Sequence, residues 1–302
     1  MTGRSQDRPR VMVLADRHPV DMTHGRDLRV YHLLREISPH FSCMLADFAP
    51  ETESGTGCNP SLDFLAAYRR LPPRPTAGMH PFRFARLTDA NFPRRAYPEY
   101  YANLASHVRS IAADWDPDLV LNFSDFAAEL GAALGIPAVL DPGDSVSLNA
   151  SRALSGRYRA SGPVPRLKLS MRRFRAIGRE RSLMNLYPAI TTITPEERSH
   201  FLAVAKTVQT EITVVPNGVG AEAVSGFSDR ARGRSVVFWG NLDFPPNWTS
   251  VKFFYEQVFL PHLADKDVAF EIIGRGGEAH LAEVFRDPRV IHHGFSKDLY
   301  AC

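Results

Sequence analysis

Two glycine-containing turns in the last third of the chain carry residues suited to binding an anion. They are formed by Gly240 and Asn241 and by Gly274, Arg275 and Gly276. Each turn follows an apolar run and precedes a predicted helix, whose first backbone N–H groups attract negative charge. Arg275 would add a positive charge. The same residues fit equally well with two plain turns in which Arg275 faces solvent.

The apolar runs before these turns predict strands, and the residues after the turns predict helices. Residues 236–239 contain no polar side chain, which indicates a strand buried on both faces. Apolar residues over 247–263 have helical spacing, and Asn247 is the predicted N-cap. Further predicted elements are strands at 268–273 and 289–292 and a helix at 278–285.

The alternation of strands and helices begins near the N terminus. Predicted strands cover 11–15, 41–48, 118–122, 137–141, 189–193 and 211–215. Thr194, Pro195 and Glu197 form a capping box with proline at the first helical position. Ser124 is the predicted cap of a short helix, and residues 71–81 are rich in proline and predicted to be irregular. The alternation predicts a mostly parallel, doubly wound sheet.

A glycine-rich segment separates two such regions. Residues 217–234 contain four glycines and few large apolar groups, which predicts a linker. The predicted fold class is therefore α/β, with two Rossmann-like doubly wound domains at 1–216 and 235–302, the second incomplete. Since the carboxyl ends of parallel strands form ligand crevices, we expect a binding cleft between the domains.

The composition is that of an ordinary soluble globular protein. Of 302 residues, 44% are hydrophobic and 23% are charged, and a net charge of +3 argues against a protein dedicated to nucleic acid. Cys43, Cys58 and Cys302 lack metal-site spacing, and Cys43 is a predicted reduced core residue. The polar N terminus and the lack of an apolar run of about 18 residues predict a cytoplasmic protein.

Four stretches form an ordered set of motifs. They are HGRDLRVYHLLREI, ITTITPEERSHFL with ITVVPNGV, VVFWGNLDFPPNWTSVKFFYEQVFLPHL, and FEIIGRGG with VIHHGF. In this order and spacing they resemble GT-B fold glycosyltransferases of the group 1 or family 4 type, closest to the branch in bacterial exopolysaccharide and cell-surface glycan clusters. The resemblance implies a hexosyltransferase-like enzyme that moves a sugar from a nucleotide-sugar donor to a glycan or lipid-linked acceptor, with retention of configuration and without a metal or other cofactor.

By this resemblance, the two glycine turns bind the nucleotide-sugar. Negative charge builds up on the leaving diphosphate during transfer, and backbone amides together with a basic side chain would stabilise it. The donor-binding residues are then Gly240, Asn241, Gly274, Arg275 and Gly276. Many relatives carry Arg directly after the first glycine and Lys a few residues later, whereas this chain has Asn241 and Lys252.

On the acceptor side, the resemblance places a glycine-containing loop near the leaving phosphate. Gly25 would bring backbone amides close to an anion and Arg26 would add charge, unless this is a solvated loop with Asp27 as N-cap. Asp144 follows the fourth predicted strand, where the family often has His or Asp facing the cleft. It is the candidate catalytic residue, which would orient an acceptor hydroxyl or stabilise a positively charged sugar. Alternatively, Asp141 and Asp144 only cap a turn.

Residues 152–181 are strongly basic. They contain ten basic residues and one acid, Glu180. Met171, Phe174 and Ile177 are predicted to face the core while the arginines face outward. A basic amphipathic helix of this kind would contact an anionic membrane or bind a polyprenyl-diphosphate acceptor. A solvated helix face is the alternative.

The second predicted domain stops at Cys302 after three strands. In the family it continues for roughly another hundred residues, as a doubly wound domain of usual size would, and that part holds the paired glutamates that bind the donor. The sequence therefore leaves open a truncated, non-catalytic remnant or one part of a split enzyme. A nucleotide-dependent dehydrogenase is disfavoured, because the chain lacks a G-x-G-x-x-G turn.

Overall fold

The computed structural model describes residues 8–19, 25–48, 61–75, 94, 97–155, 162–205, 209–218, 234–263 and 265–296. The chain divides into two compact units, Met1–Asn217 and Gly218–Cys302. Most of the predicted linker 217–234 lies outside the described residues, so the boundaries 1–216 and 235–302 stay a prediction. Cys58, Cys302 and most of the predicted irregular segment 71–81 also lie outside them.

The first unit is built on a seven-stranded sheet of order β3-β2-β1-β4-β5-β6-β7 with parallel pairing throughout. The strands are β1 (Arg10–Ala15), β2 (Ser42–Asp47), β3 (Ala67–Arg70), β4 (Leu119–Asn122), β5 (Ala138–Leu140), β6 (Ala189–Thr192) and β7 (Glu211–Val214). The order reverses between β1 and β4, so a crevice opens at the carboxyl ends of these strands. The sequence does not predict β3, because this edge strand, AYRR, has no apolar run.

Helices cover both faces of this sheet. They are α1 (Gly25–Ile37), α2 (Pro98–Trp115), α3 (Ala128–Ala132), α4 (Val146–Ser155), α5 (Pro163–Met184) and α6 (Pro195–Ala205). Alternate residues of β1 enter two cores: Val13 shares one with Val30 and Leu34 of α1, and Leu14 shares the other with Leu104 of α2. Among the described residues, every helix falls short of the length and apolar character that a membrane crossing needs.

The predicted capping box starts α6. The Thr194 hydroxyl accepts the Glu197 N–H at 3.1 Å, the Glu197 carboxylate accepts the Thr194 N–H at 3.2 Å, and Pro195 is the first helical residue. The prediction for α3 is wrong in detail. The Ser124 hydroxyl accepts the N–H of Ala127 at 2.9 Å and closes the turn ahead of the helix, so it does not cap it.

The packed face of α5 differs from the predicted one. Ala176, Glu180 and Leu183 are buried, whereas Phe174 is 69% exposed, so the prediction that Phe174 faces the core is wrong. Ile177 does pack against the core. The buried face includes an acid because the Glu180 carboxylate binds the start of α4.

The second unit contains a three-stranded parallel sheet of order β10-β9-β8. Its elements are β8 (Ser235–Trp239), α7 (Pro245–Phe254) continued by a π-helical segment (Tyr255–Leu263), β9 (Ala269–Ile273), α8 (Glu278–Phe285) and β10 (Val290–Gly294). The helices cover one face, where Phe259, Phe270 and Leu281 are buried. On the other face Val237 is 44% and Trp239 is 64% exposed. The prediction that β8 is buried on both faces is therefore wrong, because the described helices of this unit lie on one side.

Candidate functional site

A cavity of about 620 Å³ lies in the first unit, beside α5 and the loops that follow β1, β4 and β5. Its apolar wall includes Leu140, Leu183, Ile190 and Phe201. Its charged lining includes Arg74, Arg172, Arg175, Arg179, Asp16, Asp125 and Asp144. An apolar pocket with a few charged groups is typical of a small-molecule site. This one suits a ligand that has both an apolar part and an anionic part.

The two predicted phosphate-loop residues lie at the start of α1. The Arg26 guanidinium donates to the carbonyl oxygen of Phe123 at 2.5 Å and to Asp125 at 3.3 Å, and it lies 4.0 Å from Asp16. Its charge is therefore already balanced by two carboxylates. Gly25 is the first residue of the helix, and a Cβ there would meet no atom within 4 Å. The space beside Gly25 is open, and the phosphate role of both residues stays a prediction.

The sequence did not single out Asp16, which is the centre of a polar cluster directly after β1. Its carboxylate accepts the Ser124 hydroxyl at 2.5 Å and pairs with Arg74 at 2.8 Å. The Arg74 guanidinium lies 4.6 Å and 5.4 Å from the ring centres of Phe48 and Phe126. The carboxylate and the two rings together hold Arg74 at the cavity.

Asp141 has a structural role. Its carboxylate accepts hydrogen bonds from Nε and Nη2 of Arg29 at 3.0 and 2.7 Å and from the Thr191 hydroxyl at 2.7 Å. It also accepts the Gly143 N–H at 3.1 Å, which is the turn-capping contact of the alternative interpretation. Both members of the ion pair are 4% exposed. Asp141 thus joins α1 to the end of β5.

Asp144 has a different environment. Its side chain is exposed, lines the cavity and makes no hydrogen bond or ion pair with another described residue. An unpaired carboxylate on the cavity wall is available to a ligand. The catalytic role of Asp144 therefore stays a prediction, and the geometry permits it.

His18 and Asp47 form a second polar pair that the sequence did not reveal. His18 lies in the loop after β1, and Asp47 is the last residue of β2. The fully buried Asp47 carboxylate lies 2.7 Å from Nδ1 of His18 and accepts the Tyr68 hydroxyl at 2.9 Å. Burial, together with the Asp47 charge, raises the pKa of Tyr68 to about 12, so this hydroxyl keeps its proton. A carboxylate that holds one imidazole nitrogen orients the ring and leaves Nε2 to accept a proton.

The structure brings the two predicted donor turns together at the carboxyl ends of β8 and β9. The Gly240 N–H donates to the Ile273 carbonyl and the Leu242 N–H to the Arg275 carbonyl, each at 2.9 Å. A Cβ on Gly274 would lie 1.9 Å from the Gly240 carbonyl oxygen. Gly274 is therefore required by the contact between the two turns, whatever they bind.

Several donors in these turns are free to bind a ligand. The backbone N–H groups of Asn241, Arg275 and Gly276 have no hydrogen-bond partner among the described residues. The Arg275 side chain is exposed, as both interpretations of the sequence allow. Lys252, in contrast, lies 3.7 Å from Glu256 on α7. The donors that this turn pair leaves available are thus three amides and one guanidinium, and their role in anion binding stays a prediction.

Asp243 lies beside these amides, and nothing in its sequence context singles it out. Its carboxylate accepts the Gly277 N–H at 3.1 Å, and a Cβ on Gly276 would lie 2.2 Å from it. The prediction that Asn247 caps the helix is wrong, because α7 begins at Pro245 and no side chain caps it. The Asn247 side-chain amide instead donates to the carbonyl oxygen of Asn241 at 2.9 Å and so stabilises the first turn.

No cluster of three or more His, Cys, Asp or Glu residues that could hold a metal ion occurs within the described ranges. The neighbouring histidines of β10 have other contacts. His292 lies 3.0 Å from the Gly274 carbonyl oxygen, and His293 lies 2.8 Å from the Glu271 carboxylate.

Comparison with known proteins identifies the fold. No protein-family model matches the chain, and no curated protein matches it in sequence. Sucrose-phosphate synthase from Thermosynechococcus elongatus has a TM-score of 0.59 and 12% identity, with 96% of this chain and 71% of that chain covered. The apo form of the lipopolysaccharide outer core galactosyltransferase WaaB has a TM-score of 0.55 and 14% identity, with 95% of this chain and 68% of that chain covered. The predicted GT-B fold, with two Rossmann-like sheets, is therefore confirmed.

Proposed function

We propose that this protein is a glycosyltransferase of the hexosyltransferase type, which transfers a sugar from a nucleotide-sugar to a glycan or lipid-linked acceptor. The observation that carries the proposal is the pair of glycine turns at the ends of β8 and β9. The N–H groups of Asn241, Arg275 and Gly276 have no partner among the described residues, and the Arg275 side chain is exposed beside them. Such a group of donors suits a diphosphate.

The chemistry of the proposed reaction is the departure of a nucleoside diphosphate from the sugar. Negative charge grows on the leaving phosphate, and fixed amides with a guanidinium would stabilise it more in the transition state than in the ground state. This supports our proposal that transfer needs no metal or other cofactor. Family 4-type membership, which the sequence motifs imply, is part of the proposal.

The acceptor would bind in the cavity of the first unit. Its apolar wall and its arginines favour an acceptor with a hydrocarbon part and a phosphate part, such as a polyprenyl-diphosphate-linked glycan. Asp144, which lines this cavity, would contact an acceptor hydroxyl. Contact of residues 152–181 with the inner face of an anionic membrane would supply such an acceptor, because α5 lines the cavity.

The stereochemical course is also part of the proposal. The resemblance implies retention, in which the leaving phosphate can take the acceptor proton. His18, held by Asp47, would instead serve an inverting reaction as a general base. The anomeric coupling constant of the transferred sugar in the product, measured by NMR and compared with that of the donor, distinguishes the two. A retained configuration supports the proposal and an inverted one refutes it.

Donor binding is the direct test. Calorimetry with a panel of UDP- and GDP-sugars should show one that binds, and Arg275→Gln should weaken it about 10- to 150-fold, because hydrogen bonds to charged groups contribute about 1.5–3 kcal/mol. Arg286→Gln is the matched control, since Arg286 is an exposed arginine at the far end of α8. Equal binding by both variants, or no binding of any donor by the wild type, would refute the proposal.

A non-catalytic relative is the second candidate, and Asp243 is the observation that favours it. Its carboxylate occupies the N–H of Gly277 at the start of α8, where it would repel a phosphate. If Asp243 blocks the site, Asp243→Asn should raise the affinity for UDP. If Asp243 supports a working site, the substitution should leave the affinity unchanged or lower it by loosening the turn.

A further inference from the structure

Helix α5 has an apolar stripe on the side opposite its packed face. Val164, Leu167, Met171 and Phe174 recur at i, i+3, i+7 and i+10, which places them on one face of the helix. Val164 is 59%, Leu167 62% and Phe174 69% exposed, and Met171 is partly exposed. At a rise of about 1.5 Å per residue the stripe is about 15 Å long. Water-exposed apolar rows of this size usually mark an interaction surface.

Basic residues flank this stripe on both sides. They are Arg166, Lys168, Arg172, Arg173 and Arg175, and no acid occurs between residues 163 and 179. The first acid is Glu180, which is buried and hydrogen-bonded to the start of α4. This part of the helix therefore combines three large exposed apolar side chains with a net positive charge along the same two to three turns.

We propose that this surface, residues 163–175, docks α5 in the plane of an anionic membrane. The apolar stripe would enter the boundary between headgroups and acyl chains, and the flanking side chains would contact lipid phosphates. Charge complementarity selects this partner, because a run of basic residues without an acid opposes a second copy of the same surface and suits a surface of fixed negative charge. The proposal does not depend on glycosyl transfer.

The position of the cavity is consistent with such docking. Arg172, Arg175 and Arg179 of the same helix line it, together with the apolar side chain of Leu183. An amphiphile held in the bilayer could therefore reach the cavity along α5 without leaving the lipid phase entirely.

Vesicle binding tests the proposal. The full chain should co-sediment with vesicles of phosphatidylglycerol and phosphatidylcholine, much less with phosphatidylcholine alone, and less as salt increases. The double substitution Leu167→Gln, Phe174→Gln should lower the partition coefficient at least tenfold. Leu202→Gln is the matched control, because Leu202 is a 46% exposed leucine on α6, away from the stripe, and it should change nothing.

A charge variant supplies an independent measurement. Lys168→Gln should lower the partition coefficient about fivefold, since each basic residue near the surface contributes about 1 kcal/mol. All variants should retain the wild-type melting temperature and donor binding, which separates loss of docking from loss of folding or of the donor site. Equal binding to neutral and anionic vesicles would overturn the proposal. So would a protein dimer, seen without lipid, that the double substitution dissociates.

Discussion

Substitution by asparagine should destabilise the protein strongly at Asp141 and hardly at all at Asp144, three residues further along the chain. Asp141 and the Arg29 it pairs with are 4% exposed, and the bonds between them measure 2.7 to 3.2 Å. Asp141→Asn keeps the size of the side chain, so it creates no cavity. It removes the charge that compensates a buried guanidinium, and such a loss costs about 3–5 kcal/mol.

Thermal and urea denaturation followed by circular dichroism measure this cost. At about 2–4 °C per kcal/mol for a unit of this size, Asp141→Asn should lower Tm by about 6–20 °C. Asp144→Asn is the matched control: because that side chain is exposed and unpaired among the described residues, the free energy of unfolding should change by less than about 0.5 kcal/mol. Activity should nevertheless fall for Asp144→Asn if this carboxylate contacts the acceptor.

A double-mutant cycle shows whether the ion pair causes the loss. Arg29→Met combined with Asp141→Asn leaves no unpaired buried charge, so the double variant should be more stable than the sum of the single changes by about 1–3 kcal/mol. An additive cycle, or an Asp141→Asn protein within about 1 kcal/mol of the wild type, would refute the structural role of Asp141. Equal destabilisation by Asp144→Asn would do the same.

Two further predictions concern the glycines and the buried thiol. Gly274→Ala should destabilise the second unit by about 3 kcal/mol in urea denaturation, because its Cβ would lie 1.9 Å from a backbone oxygen. Gly25→Ala should instead stabilise the first unit by about 0.5 kcal/mol, because a Cβ there would meet no atom within 4 Å and the unfolded chain would lose conformational freedom. If Gly25→Ala destabilised the protein, the open space beside the Gly25 Cα would be contradicted. Cys43 is buried and free as predicted, and burial raises its pKa to about 11 from 9.0. Its stabilising contribution is therefore complete below about pH 9 and is lost as pH rises towards 11; rapid labelling of the native thiol at pH 8 would contradict its burial.

Features with a local sequence pattern could be predicted. Strands β1, β2, β4 and β5 of the first unit contain apolar runs because helices cover both faces of that sheet, and the start of α6 follows from Thr194 and Glu197 alone. The two glycine turns are recognisable because a Cβ has no room at Gly274, beside the Gly240 carbonyl oxygen, or at Gly240, beside the Asn247 side chain. In each case the residues that cause the structure are close in the chain or repeat with a fixed period.

The polar clusters of the first unit have no such pattern. Asp16 and Arg74 meet because β1 and β3 end at the same edge of the sheet, and His18 meets Asp47 for the same reason. Each residue is separated from its partner in the sequence by tens of residues. Only the strand order brings them together, and the edge strand β3 could not be predicted.

Helix α5 shows why periodicity can assign the wrong face to the core. Its sequence carries apolar residues on more than one face, and Met171, Phe174 and Ile177 are predicted to face the core because large apolar residues usually do. The structure buries the row of Ala176, Glu180 and Leu183 instead. That row looks polar, but the Glu180 carboxylate accepts the Ser147 N–H at 3.0 Å, so the charge is satisfied by the start of a neighbouring helix. The inner face is accounted for in this way, so the exposed row of Val164, Leu167, Met171 and Phe174 is left for a partner outside the fold, and its basic flanks are the reason we propose a surface of negative charge.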